Sequence, residues 1–413
     1  MSKIGILFRK WSEMSLVLRI LGGLVIGAVL GLVAPSWTWL GVLGTVFVSA
    51  LKAIAPVLVF VLVMASIARA GGGLGARFRT VIALYLLSTL AAAFVAVAGS
   101  WIFPVTLQLQ QGVAESAPGA LGDIFTNLLT NMVANPVAAL ASANYIGILF
   151  WAILFGVGLK LLASSGTIKA VGDFADVITV IVKWIIQFAP FGILGLVYTA
   201  VAQSGLEIFT TYGKLVLLLV GCMLFNAVIL NPLWSFIATG KNPYPLLWQC
   251  LSVSGLNAFF TRSSAANIPI NLAICKKLGL DEDFYSVSIP LGATINMNGA
   301  AVTITVMAMA VANTIGVEVS FGAALLLCVV TTLGACGTSG VAGGSLLLIP
   351  LACSFLGVGN DIAMQAVAVG FIIGVIQDSV ETALNSSADV FFTATAEYRN
   401  RKKTPPSSSA SEQ

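Results

Sequence analysis

Gln377 to Asp389 is a stretch of otherwise helix-forming and apolar character that carries three carboxylates, Asp378, Glu381 and Asp389. Asp378, Thr382, Asn385 and Asp389 follow one another by four, three and four residues, the spacing that lines side chains along one helix face. Such a face offers sites for an amine, an alcohol and a cation. A charged group inside a bilayer costs at least ~2.5–3.5 kcal/mol, so carboxylates there face protein or a water-filled path and mark a binding site.

The elements that position this face belong to a membrane protein. Of 413 residues, 58% are hydrophobic and only 9% charged, and mean hydropathy is +1.01; a soluble domain has roughly 25% charged residues. The net charge of +4 is small and spread over short loops and termini, with no groove of basic and aromatic residues, which argues against nucleic-acid binding. The six cysteines (Cys222, Cys250, Cys275, Cys328, Cys336, Cys353) sit in or beside apolar runs without CxxC spacing and read as packing residues. Without histidine or a cysteine cluster, a zinc, haem or iron–sulfur centre has almost nothing to bind it.

A basic start (Lys3, Arg9, Lys10, Arg19) leads into an apolar run from Leu16 to Ala34, read as an uncleaved first span rather than a signal peptide. Further spans read as Leu40 to Ala68, Val81 to Phe103, Ile124 to Leu162 with interruptions, Phe174 to Ala202 and Leu215 to Ala238, with Pro56, Pro136, Pro190 and Pro232 as kink points. Lys52 and Lys183 snorkel to an interface, and the glycine-rich Ala70 to Gly75 reads as a linker. Arg69, Arg77, Arg79, Lys160, Lys169 and Lys241 lie on one set of loops, while Thr106 to Gly122 and Ala202 to Thr211 hold no lysine or arginine. By the positive-inside rule the amino terminus is cytoplasmic, and Arg399, Arg401, Lys402 and Lys403 place the carboxyl terminus there too.

Beyond Pro243 the apolar runs break in their middles. Thr261 to Asn267 and Gly337 to Ser345 interrupt half-length arms, the pattern of two re-entrant hairpins, since irregular backbone survives at membrane depth only where protein or a cavity satisfies it. Each hairpin precedes a longer span with a polar break: Asn296 to Gly299, then the Asp378 to Asp389 face. That duplication implies an inverted repeat with the binding site between its halves. No basic residue falls between Lys277 and Arg399. Of the acids there, Asp281, Glu282, Asp283, Glu318, Asp361 and Glu397 read as solvated; the three intramembrane ones need cations, from Arg262, from sodium or from a substrate ammonium.

These residues resemble the dicarboxylate/amino acid:cation symporters, the family of glutamate transporters and their archaeal homologues. Thr261-Arg262-Ser263-Ser264 is similar to the first hairpin tip, Gly292 to Gly299 to the NMDGT region, and Gly340 to Gly343 to the second tip. The last span is most similar to that of the bacterial sodium/serine–threonine symporters. The resemblance covers nearly the whole chain. It implies an all-α polytopic membrane protein with the glutamate-transporter-homologue fold: eight transmembrane helices and two re-entrant helical hairpins in inverted repeats. Residues 1–242 would be mainly scaffold and trimerisation spans 1–6, with span 3 (78–105) joining the transport unit. Residues 243–398 would be the transport core, comprising hairpin 1 (243–276), span 7 (281–312), hairpin 2 (319–357) and span 8 (360–395), followed by a disordered cytoplasmic tail, 399–413.

The resemblance also implies roles. Asp378 would accept a substrate ammonium, with Thr382 and Asn385 bonding the amino and carboxylate groups and backbone N–H groups near Ser263, Ser264, Val341 and Gly343 cradling the carboxylate. Glu381 stands where transporters of acidic amino acids carry an arginine, which implies a small neutral hydroxy substrate, L-serine or L-threonine, with Arg262 as a partner open to Glu381. One sodium ion would lie among Gly292, Asn296, Asn385 and Asp389. A second would be held by the carbonyls of Thr294, Ala335, Cys336 and Thr338. A third uses an aspartate that is Asn298 here, beside Tyr85, Ser88 and Thr89, so that site would be weakened or absent; Asn298 reads equally as a helix–helix hydrogen-bonding residue. Ser386 and Ser387 read as back-bonding to their own helix. The implied function is sodium-driven import across the bacterial inner membrane by a homotrimer, through alternating access. The alternatives are a sodium- or proton-coupled symporter for other amino acids or dicarboxylates, or a cation channel. An intramembrane enzyme using Ser263 or Ser345 lacks any group to activate the nucleophile.

Overall fold

The computed structural model describes residues 16–69, 76–109, 132–205, 207–336 and 343–403, together with Met14, Thr130 and Thr338. The Ala70 to Gly75 linker, Val341 and the tail from residue 404 therefore lie outside the described residues. Among the described residues every regular element is helical. The chain runs through α1 (Leu16–Val33), α2 (Gly41–Arg69), α3 (Ala76–Ile102), a short α4 (Pro136–Ala141), α5 (Tyr145–Leu162), α6 (Ser165–Gln187), α7 (Ala189–Ser204) and α8 (Glu207–Phe225). A π-helical turn, Asn226–Leu230, joins α8 to α9 (Asn231–Thr239). Among the described residues six helices are long and apolar enough to cross a membrane, and a seventh span arises if the α6–α7 pair counts as one.

Local chemistry explains the ends. Asn135 caps α4 by accepting from the Val137 and Ala138 N–H groups, with Pro136 in the first turn, where its missing N–H costs nothing. Asn144, Ser164 and Ser320 cap their helices in the same way. Of the four kink prolines, Pro190 marks a real bend: α6 and α7 meet at 51° around Phe188. Pro232 follows the π-helical turn, Pro136 starts a helix, and Pro56 sits within an unbroken α2. Lys183 is exposed, as snorkelling requires.

Two sets of helices pack mainly within themselves and share part of one apolar core. In the first, α1 and α2 lie on α7, and α2 also meets α5 and α6. Gly23, Gly27 and Gly31, four residues apart, let α1 touch the α7 backbone: an added Cβ would stand 2.2, 2.5 and 2.9 Å from the carbonyl oxygens of Pro190, Leu194 and Tyr198. We therefore expect Gly27→Leu to force α1 off α7 and lower the melting temperature of the purified protein by several degrees; an unchanged melting curve would contradict this packing.

In the second set, α3 packs against the later helices rather than against α2. The later helices are α10 (Tyr244–Cys250), a π-helical turn (Leu251–Gly255), α11 (Leu256–Thr261), α12 (Ser264–Lys277), α13 (Glu282–Ile295), α14 (Asn298–Thr314), α15 (Phe321–Ala335), a 3₁₀ turn (Ser345–Leu348), α16 (Ile349–Phe355) and α17 (Asn360–Lys403). Of an apolar 18-residue stretch within Glu282–Thr314, 94% is buried, and of one within Asn360–Arg401 78%, against 33% for Tyr145–Leu162. Those two spans are wrapped in protein, and the polar residues of the sequence fall on them.

The chain reverses at Arg262, a non-glycine residue in the left-handed region (φ 51°), and Ser263 then caps α12 by accepting from the Ala266 N–H. Such backbone costs ~1 kcal/mol or more and is retained where surroundings hold it. The span of α13 and α14 breaks at Asn296 and Met297, as its sequence implies. The last span does not: α17 is one helix of 44 residues, about 66 Å long. It continues through residues 399–403, which are therefore helical at the start of the expected tail. Its polar residues bond sideways instead of interrupting it.

Candidate functional site

α17 presents Asp378, Thr382, Asn385 and Asp389 to the surrounding hairpins and α13–α14, all buried. The Asp378 carboxylate links the turn before α12 to the segment before the 3₁₀ turn: Oδ2 accepts from Arg262 Nε at 2.7 Å, and Oδ1 from the Gly343 N–H at 3.3 Å. Both members of this ion pair are less than 10% exposed. Breaking such a pair by removing one partner costs about 3–5 kcal/mol, because the other charge is left buried. Ser264 is buried beside Arg262 and Ser263 at this tip. Thr382 donates to the Asp378 carbonyl at 2.7 Å, which leaves its oxygen lone pairs able to accept.

Glu381 has a different neighbourhood from the one open to it in the sequence. Arg262 reaches Asp378, whereas Glu381 Oε2 accepts from Thr303 Oγ1 at 2.7 Å, from Ser345 Oγ at 2.8 Å and from Gln377 Nε2. Gly299 makes this approach feasible, because a Cβ there would stand 2.8 Å from the Glu381 Cα. Asn385 fixes the break between α13 and α14: its Oδ1 accepts from the Gly299 N–H at 2.7 Å, one of the donors freed at the start of α14.

One helical turn on, Asn296 Nδ2 donates to Asp389 Oδ1 at 2.9 Å and to the Asn385 carbonyl at 3.2 Å. Asn296 Oδ1 and Asp389 Oδ2 are buried without a hydrogen-bond partner. Gly292 leaves room beside them: a Cβ there would lie 2.7 Å from Asp389 Oδ1 and 2.8 Å from the Tyr85 hydroxyl. Among the described residues the buried ion pair is Arg262–Asp378, and Asp389 has no basic partner. Hard oxygens, one negative charge and two orphaned acceptors suit an alkali cation. The second expected ion site draws on two helix ends that do meet: Cys336 Sγ lies 3.6 Å from the Ile295 carbonyl, next to Thr294, while the Ala335 carbonyl accepts from the Thr338 N–H at 2.9 Å.

Around Asn298 the polar groups are mutually satisfied. Ser88 and Thr89 donate to Asn298 Oδ1 at 3.0 and 2.9 Å, and Asn298 Nδ2 donates to Asn231 Oδ1 at 3.3 Å. The Tyr85 hydroxyl bonds instead to Thr393 and the carbonyls of Ser288 and Asp389. An amide in place of a carboxylate thus ties α3 to α14 and to α9. We expect Asn298→Asp to add a cation-dependent rise in the melting temperature of the purified protein; a melting curve indifferent to alkali cations would mean these hydroxyls cannot turn toward a cation.

Several partners were not foreseen. Ser387 back-bonds to the Leu384 carbonyl, but Ser386 Oγ accepts from Asn267 and Asn271 at 2.8 and 3.1 Å. Ser254 and Asn257 complete this buried amide knot, which fastens hairpin α10–α12 to α17. The sequence signal was the pair of asparagines four residues apart in α12. Glu397, expected in solvent, is buried; it accepts from the Asp281 N–H at 3.1 Å and pairs with Arg401. Asp281 itself bonds Arg77 at 2.7 Å, and that contact holds its carboxyl below the usual aspartate range. These links join the starts of α3 and α13 to the basic end of α17.

Comparison with known proteins fits this geometry. The family model described as the sodium:dicarboxylate symporter family matches residues 16–398. The serine/threonine transporter SstT of Bifidobacterium adolescentis is 59% identical over 93% of this chain and 90% of its own length. Its counterparts in Streptococcus thermophilus (53%, covering 95% and 98%) and Lacticaseibacillus casei (51%, covering 96% and 92%) are similar along the same extent. With a family match from residue 16 to residue 398, which takes in Asp378, Glu381, Thr382, Asn385 and Asp389 and the groups around them, this chain belongs to the sodium:dicarboxylate symporter family.

Proposed function

We propose that the protein is a sodium-coupled secondary transporter that imports serine and threonine by alternating access. The observation that carries this reading is the Asp378 carboxylate, buried and shared between Arg262 and the Gly343 N–H on the two hairpins. An incoming ammonium takes over part of that shared carboxylate, and the substrate carboxylate then meets Arg262 and the N–H groups of the hairpin tips, those near Ser263, Ser264, Val341 and Gly343. Thr382 accepts from the ammonium, and Asn385 completes the carboxylate contacts. Glu381, held by three neutral donors, leaves the neighbouring space acidic and polar, which favours a short hydroxyl side chain over a second carboxylate. The names of the relatives support the same substrates.

Sodium binds first at Gly292, Asn296, Asn385 and Asp389, and a second ion binds at the carbonyls of Thr294, Ala335, Cys336 and Thr338. Asn385 belongs to both the substrate and the first ion site, so filling one orders the other; this is coupling through a shared residue. The later helices with α3 move as the transport core against a scaffold of the earlier ones, with eight spans and two re-entrant hairpins in all. The chain works as a homotrimer in the bacterial inner membrane with both termini cytoplasmic, and it is a carrier rather than an enzyme.

Glu381→Arg tests specificity. A guanidinium there would meet Thr303, Ser345 and Gln377 in place of an acceptor, and would attract a second carboxylate. Serine uptake should fall at least about tenfold while aspartate begins to compete, the exchange expected from reversing one charge near a ligand, worth roughly 1.4 kcal/mol or more. Unchanged selectivity would remove Glu381 from the pocket.

A further inference from the structure

The corner of the site beside Glu381 is built from three elements. Glu381 and Gln377 stand one turn apart on α17, Thr303 comes from α14, and Ser345 opens the 3₁₀ turn before α16. Their hydrogen bonds converge on one oxygen. Thr303 Oγ1, Ser345 Oγ and Gln377 Nε2 all donate to Glu381 Oε2, and Gln377 Nε2 also donates to Thr303 Oγ1 at 2.7 Å. Among the described residues none donates to the other oxygen, Oε1. Gln377, Thr303 and Ser345 are 0, 0 and 1% exposed against 6% for Glu381, so the opening left at this corner is on Glu381. The Gln377 carboxamide is aimed at a cost, because its own Oε1 is buried with no hydrogen-bond partner. Turned over, the amide would set that oxygen against the Glu381 carboxyl, so it goes without a donor in order that Nε2 can be one.

We propose that Gln377, Thr303 and Ser345 are positioning residues that fix Glu381 with its Oε1 toward the substrate's side chain, where it accepts from the hydroxyl of a β-hydroxy amino acid. This rests on the transport function and on the ammonium contact at Asp378 proposed above. Asp378 and Glu381 are three residues apart on one helix, which brings their Cβ atoms within about 5–6 Å. An α-amino acid whose ammonium sits on Asp378 therefore holds its β-substituent beside Glu381. A hydroxyl there makes an O–H to carboxylate bond, the strong charge-assisted kind, with an oxygen that lacks a donor. A hydrogen or methyl in the same place shuts water away from that oxygen and gives nothing in return, which is how a site built for a hydroxyl rejects the analogue without one. Selectivity then depends on the groups behind Glu381 as well as on Glu381 itself. Without the Gln377 donor, Oε2 loses one of its three anchors, the carboxyl is free to rotate, and the hydroxyl no longer meets a fixed acceptor.

The test is calorimetric titration of the purified full chain in saturating sodium with serine, alanine, threonine and 2-aminobutyrate, beside uptake of radiolabelled serine into proteoliposomes. The parental protein should bind serine at least about tenfold more tightly than alanine, and threonine than 2-aminobutyrate. In Gln377→Met and Thr303→Val, which nearly keep the volume and remove the donor, serine affinity should fall at least about fivefold while alanine affinity stays within about twofold. Thr303→Ser, which keeps the hydroxyl, should keep the parental ratio. Ser345→Ala removes the third donor and should shift the ratio in the same direction as Gln377→Met, which leaves a second probe if the buried glutamine proves necessary for folding. Gel filtration and thermal melting select the folded variants. Serine and alanine weakened in equal measure, or a ratio unchanged in the folded variants, overturns the positioning role. A parental protein that binds and carries serine yet takes alanine equally well overturns the hydroxyl subsite and leaves the transport function standing. The stated preference in binding without sodium-driven uptake counts against the transport function and leaves the subsite standing.

Discussion

Asp378→Asn should abolish sodium-driven serine uptake, with initial rates expected to fall at least about a hundredfold. Two effects add. The substrate ammonium loses a charge-assisted hydrogen bond, worth ~1.5–3 kcal/mol. The substitution also strands Arg262, buried at the hairpin tip, and leaves its cation unpaired where the ammonium must sit. An asparagine can still accept from the Gly343 N–H, so the hairpins keep one of their links to α17. The variant should remain folded and able to bind sodium. Gel filtration and sodium-dependent thermal stabilisation check this, and retained uptake in a folded variant would remove Asp378 from the role of ammonium acceptor.

Gly292→Ala gives the second large effect, and it acts on sodium. The added methyl would stand 2.7 Å from Asp389 Oδ1 and 2.8 Å from the Tyr85 hydroxyl, pressing on the carboxylate whose other oxygen, Oδ2, has no partner. A cation held there by several oxygens at 2.3–2.6 Å tolerates no such intrusion. The sodium concentration for half-maximal uptake should rise at least tenfold, with smaller loss of serine affinity once sodium saturates. Asp389→Asn should move the same quantity in the same direction by removing the site's negative charge. If both variants keep the parental sodium dependence, the ion lies elsewhere.

Hydropathy and residue type carried much of this arrangement. Apolar runs located the spans, and Thr261 to Asn267 marked the reversal that the chain makes at Arg262 and Ser263. The four, three, four spacing placed Asp378, Thr382, Asn385 and Asp389 on one buried face. Periodicity names a face, however, and not the neighbour opposite it. Arg262 lies 116 residues before its partner, and helix packing, rather than local pattern, decides that it meets Asp378 and that Glu381 turns to Thr303 and Ser345. Glu397 reads in the sequence as a solvated loop acid, yet α17 continues past it and buries it against the Asp281 N–H. The glycines of α1 could be read as small packing residues, but only their meeting with the α7 carbonyls explains the four-residue spacing. The expected break in the last span failed for a related reason: Ser386, Asp389 and Asn385 find partners on α12, at the α13–α14 break and on α14, and Thr382 and Ser387 bond back to carbonyls of their own helix, so no backbone group has to leave it.

The most direct measurement is uptake of radiolabelled serine into proteoliposomes holding the purified protein under an imposed inward sodium gradient. A tenfold gradient with 100 mV, inside negative, offers about 3.7 kcal/mol per sodium ion, enough for accumulation of several hundredfold. The account predicts concentrative serine uptake that collapses when potassium replaces sodium, that threonine competes for, and that excess aspartate leaves unchanged. Uptake that persists without sodium, or that aspartate suppresses as well as threonine does, would contradict it.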